Sequence, residues 1–245
     1  MRSYAIGDIH GQLSLLEDAH SRITADRAAY GDDTAPVVHL GDLVDRGPDS
    51  AGVIRFLREG LARGENWVVL KGNHDRLFER FLSEPDWRDE RMSPEVSYLH
   101  PAIGGQETLM SYGLFRPSAF HIKHVREAAV MAVPTEDITF LRERPLMHRV
   151  GEQLFVHAGI RPGTPLPEQI EQDLLWIREP FLSDTREHGF LVVHGHTAIP
   201  QATHYRNRVN IDSRAAYGGP LTAIVIENRS VWRLTDTGRV PLLPL

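Results

Sequence analysis

In the first third of the chain, short apolar runs alternate with segments in which apolar side chains return every three or four positions. The runs at residues 3–6, 37–40 and 67–70 each end at a glycine or a charged residue, as buried strands of a parallel sheet do. Between them Leu13, Leu16, His20 and Ile23, then Val53, Phe56, Leu57 and Leu61, trace one face of a helix. The pattern predicts a β-α-β-α-β unit whose helices lay their apolar stripes on a sheet. Over residues 77–149 the strand signal fades, Arg, Glu, Met and Pro become frequent, and helical stretches stand at 106–112 and 135–142, which predicts a mostly helical insertion. Strand-like runs return at 153–156, 190–193, 208–211, 221–226 and 231–234; the last two read as a hairpin in the antiparallel part of a second sheet. With no internal repeat, low-complexity tract or linker, residues 1–245 are expected to form one α/β domain that carries the insertion.

Composition changes this picture in two ways. A net charge of -6 gives no broad basic field, so neither a nucleic acid nor an anionic membrane is expected as partner. The N-terminus shows no signal-peptide pattern, which predicts a cytoplasmic protein. The chain also has no cysteine, so any metal must be held by imidazole, carboxylate, amide or water, and its 13 histidines gain weight accordingly.

These ligand types gather where strands end. Gly7-Asp8-Ile9-His10-Gly11, Gly41-Asp42-Leu43-Val44-Asp45-Arg46-Gly47, Gly72-Asn73-His74-Asp75, Val156-His157-Ala158-Gly159 and Val193-His194-Gly195-His196-Thr197 sit at strand-to-loop junctions. In an α/β sheet such strand ends converge on one edge. Asp8 and His10, two apart, would leave an extended segment on the same side and bind one cation. Asp42 could bridge to a second, and Asn73, His157 and His196 would complete a mixed oxygen and nitrogen shell suited to Mn²⁺, Fe or Zn²⁺. Two such cations activate water for attack on a phosphoryl group, which removes the need for a Ser or Cys nucleophile. His74, beside Asn73, is placed to protonate the leaving oxygen; Asp45 could orient that imidazole and Arg46 clamp the phosphate.

Taken in order, GDIHG, GDLVDRG and GNHD, followed by HAG and HGHT, resemble the signature of the phosphoprotein-phosphatase branch of the calcineurin-like metallophosphoesterases, over nearly the whole chain. The resemblance implies a four-layer fold, two facing mixed β-sheets flanked by helices. It implies Asp8, His10, Asp42, Asn73, His157 and His196 as ligands of two divalent ions, Mn²⁺ foremost with Fe and Zn²⁺ as alternatives, and His74 as the acid paired with Asp45. It favours His196 over the neighbouring His194. Through Leu174-Leu175-Trp176-Ile177-Arg178 it brings Arg178 beside Arg46 as a second phosphate-binding arginine, with Arg161 a further candidate. His39, His100, His121, His124, His148, His188 and His204 have no partner pattern and read as structural or exposed.

Two bacterial groups share these blocks: serine/threonine phosphoprotein phosphatases and symmetrical dinucleoside tetraphosphate hydrolases. In the nucleotide hydrolases the second block usually lacks its second aspartate, present here as Asp45. The resemblance therefore implies hydrolysis of phosphate monoesters, on phosphorylated proteins or small phosphate esters, ahead of dinucleoside polyphosphates. A third reading is a module that binds phosphate without catalysis. Such a chain should have lost ligands or the acid, and neither Asp42 nor His74 is replaced.

Overall fold

The computed structural model describes the backbone of residues 1–245 and every side chain except that of Ser118. Strand β1 (Arg2–Ile6), helix α1 (Leu13–Tyr30), β2 (Val37–His39), α2 (Ser50–Ala62) and β3 (Trp67–Val69) form the predicted unit. Its strands run parallel, with Ala5 opposite Val38 and Val38 opposite Val68. Local chemistry sets the helix ends. Gly31 takes the left-handed backbone that stops α1, and the Asp49 carboxylate accepts the Gly52 N–H at 2.8 Å to start α2. Then come α3 (Asn73–Ser83), α4 (Gly105–Ser111), α5 (Ile122–Ala132), α6 (Thr135–Arg142) and β4 (Met147–Val150). The last part holds β5 (Gln153–Val156), α7 (Glu171–Trp176), β6 (Leu191–His194), β7 (Thr203–His204), β8 (Arg208–Asn210), β9 (Ala223–Glu227), β10 (Ser230–Thr235) and β11 (Gly238–Pro241). No helix among the described residues is long and apolar enough to cross a membrane.

Two mixed sheets result, in the orders β11-β10-β9-β1-β2-β3 and β4-β5-β6-β8-β7. The late hairpin corrects the sequence reading: β9 and β10 belong to the first sheet, where β9 runs antiparallel to β1 with Arg2 opposite Glu227 and Ile6 opposite Ala223. The reason lies in its two faces. Ala223 and Val225 join the same core as Tyr4 and Ile6, whereas Ile224 and Ile226 join Ala5 on the other side, so β9 matches β1 residue for residue. Strands β4, β7 and β11 lay outside the predicted runs. Each is an edge strand, partly solvated and therefore without a clean apolar signal.

The alternation continues through both sheets and defines the layers. Ala5, Val38, Phe155, Val193, Val209 and Ile224 fill the space between the sheets; Tyr4, Ile6, Val37, Leu16, Ile23 and Val53 pack helices on the first; Leu154, Val156, Val192, Leu174 and Phe181 cover the second. Each large apolar side chain buried in this way contributes about 1.5–3 kcal/mol. The result is the four-layer metallophosphoesterase arrangement, with the carboxyl ends of β1, β2, β3, β5 and β6 at one seam.

One buried histidine pair makes the fold sensitive to acid. His39, fully buried under α1, places Nε2 3.0 Å from His20 Nε2 and Nδ1 3.2 Å from Val68 O, with the Trp67 ring against both imidazoles. Burial pushes His39 down to about 4 from an ordinary 6.5. The unfolded chain then binds more protons than the folded one as pH falls from the higher value to the lower, and stability is lost across that window. His39→Gln is expected to lessen the fall in unfolding free energy between about pH 7.5 and about pH 5 by about 2 kcal/mol, read from urea titrations at the two pH values.

Candidate metal centre

The strand-end blocks are drawn together by turns that residue type alone does not announce. His10, Asp42, Asp45, Arg46 and His196 all take positive φ, at 46°, 49°, 72°, 69° and 62°. Such backbone costs on the order of 1–2 kcal/mol per residue outside glycine. Hydrogen bonds hold it here: Asp42 O accepts the Ile9 and His10 amides at 3.1 and 2.7 Å, Leu43 O accepts that of Gly11 at 2.9 Å, and Gly104 O accepts that of Arg46 at 3.0 Å. Asp75, in the first turn of α3, fastens two blocks at once by accepting the Leu43 amide at 2.8 Å and the Gly72 amide at 2.7 Å. The chain turns at His10 and Gly11, both at positive φ, so the extended geometry expected from Asp8 does not continue through His10.

Two groups of side chains share one carboxylate. Ligand atoms of His10, Asp42 and His74 lie within 4.8 Å of one another, as do those of Asp42, His157 and His196. Asp42 Oδ2 is 3.4 Å from His10 Nε2, and its Oδ1 is 3.4 Å from His157 Nε2 while accepting the His74 amide at the start of α3 at 3.0 Å. Asn73 Oδ1 lies 2.9 Å from both His157 Nε2 and His196 Nδ1, and Asp8 Oδ2 accepts the His196 amide at 2.9 Å. The second-layer contacts fix which imidazole nitrogen carries the proton. His10 Nδ1 donates to Val44 O at 2.8 Å and His157 Nδ1 to Leu40 O at 2.9 Å, which turns the unprotonated Nε2 of each toward the carboxylates.

This arrangement passes a direct test of fit for cations. Lone pairs of His157 Nε2, Asn73 Oδ1 and Asp42 Oδ1 converge with no proton to share, and Asp8 Oδ1 and His196 Nε2 are buried without a hydrogen-bond partner. Burial pushes His10, His157 and His196 below the ordinary imidazole value, so they stay neutral ligands. Burial, Asp212 and Asp42 push Asp8 well above the usual carboxylate range. Three crowded carboxylates facing neutral imidazoles call for positive charge.

The remaining candidates divide. His74 Nδ1 donates to Asp45 Oδ2 at 2.7 Å; Arg46 donates through Nη1 to His10 Nε2 at 2.6 Å and through Nη2 to His74 Nε2 at 2.9 Å. Arg178 is exposed, just beyond the end of α7, and near enough for its charge to act on His196. Arg161 is spent on Asp173, which accepts from its Nε and Nη2 at 2.7 and 2.8 Å. His194 faces away from the cluster, its Nε2 accepting from Arg208 at 3.2 Å. The sequence reading missed Asp212, raised to about 6 mainly by burial, and Tyr217, whose ring lies 5.2 Å from the Arg46 guanidinium. Asp212 had a usable signal, since like the other blocks it follows a strand, β8.

A family model for calcineurin-like phosphoesterases matches residues 1–226, and the chain belongs to that family, whose members are metal-dependent phosphoesterases with two metal ions. Among its relatives, the asymmetrical bis(5'-nucleosyl)-tetraphosphatase PrpE of Bacillus thuringiensis strain Al Hakam is 24% identical over 91% of this chain and 90% of its own. Serine/threonine-protein phosphatase 1 of Salmonella typhimurium is 28% identical, with 91% of each chain covered. The crystal structure of a cold-active protein-tyrosine phosphatase from a psychrophilic Shewanella shares the fold, with a TM-score of 0.62 at 16% identity over 99% of this chain and 80% of that one.

Gly195 offers a check on the cluster. A Cβ there would overlap Asp8 Oδ1. Gly195→Ala is expected to displace the Asp8 carboxylate and weaken Mn²⁺ binding about 10–100-fold, measured by competition with a chelating dye, while far-UV circular dichroism stays unchanged.

Proposed function

We propose that this phosphoesterase is a cytoplasmic serine/threonine phosphoprotein phosphatase of bacterial type, with Asp8, His10, Asp42, Asn73, His157 and His196 holding two divalent ions, Mn²⁺ foremost. In this reading residues 1–245 act as one domain and the insertion over 77–149 shapes the substrate rim. The observation that carries it is the buried Asp45–His74 pair at 2.7 Å beside the Asp42-centred cluster. When bound, the two ions supply an activated water and polarise the phosphoryl oxygens.

The protein's own groups supply the rest. With Nδ1–H on Asp45, a protonated His74 aims Nε2–H at the cluster and hands that proton to the leaving oxygen as the P–O bond breaks. Arg46, which lies across His10 Nε2 and His74 Nε2, would turn its guanidinium from these nitrogens to the phosphate oxygens of a bound substrate and leave His10 Nε2 open to hold a cation. The Tyr217 ring lies against that guanidinium, its centroid 5.2 Å away. Arg178, exposed and near enough for its charge to act on His196, offers a second guanidinium, and the Asn73 amide is assigned to phosphate binding as well.

The Salmonella phosphatase supports the protein substrate, and the Bacillus tetraphosphatase supports a second reading, hydrolysis of dinucleoside polyphosphates. Mn²⁺-dependent turnover of a phosphoserine/phosphothreonine peptide, p-nitrophenyl phosphate and diadenosine tetraphosphate separates them. The peptide is expected to have the highest kcat/KM, with chelator abolishing all three; preference for the dinucleotide would transfer the assignment to the second reading. His74→Asn is expected to lower peptide turnover about 10²–10⁴-fold with metal content intact, and unchanged turnover would remove His74 from the role of acid.

A further inference from the structure

The Asp45–His74 pair is gripped by two side chains that no motif contains. Tyr98 Oη donates to Asp45 Oδ1 at 2.6 Å, and Thr108 Oγ1 donates to the same oxygen at 2.8 Å. Thr108 Oγ1 also accepts the Asp45 amide at 2.8 Å and lies 3.0 Å from Ser50 Oγ, which accepts that amide at 3.2 Å. Asp45, Ser50, Tyr98 and Thr108 are all buried, so water cannot replace these bonds. With Oδ1 occupied by two hydroxyl donors, Oδ2 alone faces His74 Nδ1, and neither the carboxylate nor the imidazole is free to turn.

The tyrosine is in turn locked to the helix that carries the imidazole. Its ring stacks on Phe78 and Phe81, with centroids 5.8 and 4.7 Å apart, and both phenylalanines belong to α3, which opens with Asn73 and His74. Hydroxyl and imidazole therefore share one rigid frame. A Cβ on Gly105 would press into the Tyr98 ring, so the start of α4 closes the ring from a further side and brings Thr108 into range one turn on. Burial and the nearby Asp45 push the Tyr98 hydroxyl well above its ordinary value, which keeps it a donor.

We propose that Tyr98 and Thr108 are positioning residues for proton delivery: by fixing Asp45 they hold His74 with Nε2 toward the leaving oxygen. The inference rests on the reading of His74 and Asp45 given above. In the step concerned, the P–O bond breaks with its electron pair on the leaving oxygen, His74 Nε2–H supplies the proton to that oxygen, and the attacking water bonds to phosphorus and releases one proton to solvent, from which His74 is reprotonated. Tyr98 and Thr108 neither gain nor lose a proton.

Leaving-group dependence separates this role from simple packing. An alkyl phosphate needs its leaving oxygen protonated, whereas p-nitrophenyl phosphate leaves as a stabilised anion. In the Mn²⁺-loaded enzyme, Tyr98→Phe removes only the hydroxyl and is expected to lower kcat on an alkyl phosphate about 10-fold, change p-nitrophenyl phosphate less than about 2-fold, and leave KM alone. Elemental analysis should still find the wild-type metal content. Thr108→Val is expected to act likewise and Thr108→Ser to restore the alkyl rate; this pair decides by the same ratio should Tyr98→Phe lose structure. Equal loss on both substrates, with His74→Asn still selective for the alkyl phosphate, would overturn the positioning role alone. A non-selective His74→Asn would overturn the acid assignment and this inference with it.

Discussion

Around Asp42 the protein brings together more electron pairs than protons, and much else in the structure serves that imbalance. The carboxylate sits at the N-terminus of α3, where a backbone amide and the helix dipole favour negative charge, with neutral imidazoles on either side. Holding it there demands backbone in the left-handed region at five non-glycine residues, and Asp75 and the carbonyls of Asp42, Leu43 and Gly104 keep those turns in place. A cation satisfies all of these acceptors together. Without the imbalance, the strained turns would have no purpose that packing could supply.

Much of the fold was legible because central strands with two apolar faces leave dense runs in the sequence. Those runs did not reveal which sheet β9 joins, since a strand apolar on both faces fits several partners, and the half-solvated edges β4, β7 and β11 left no run at all. The candidate site was legible for a similar local reason: each block of ligand-type residues follows directly on a strand. Its backbone was not, because nothing in the letters for His10 or Asp45 signals positive φ. Nor were the supports. Tyr98 and Thr108 reach Asp45 across 53 and 63 residues, and a contact of that span has no local signature.

The fold itself is shared with a chain only 16% identical and therefore says little about substrate. The elements between β3 and β4 reach the cluster through Gly104, Tyr98 and Thr108. The segment proposed to shape the substrate rim thus also contacts the Asp45–His74 pair, so substitutions there are expected to alter specificity and rate together.

The cluster is divided across a seam. Asp8, His10, Asp42 and Asn73 follow strands of the first sheet, while His157 and His196 follow strands of the second. During synthesis the first four leave the ribosome long before the last two, and until the second sheet has docked the nascent chain presents only four of the six side chains proposed to hold the ions. On the proposed assignment hydrolytic competence is deferred until the second sheet has docked, and a chain truncated before β6 lacks His196 and with it one wall of the cluster.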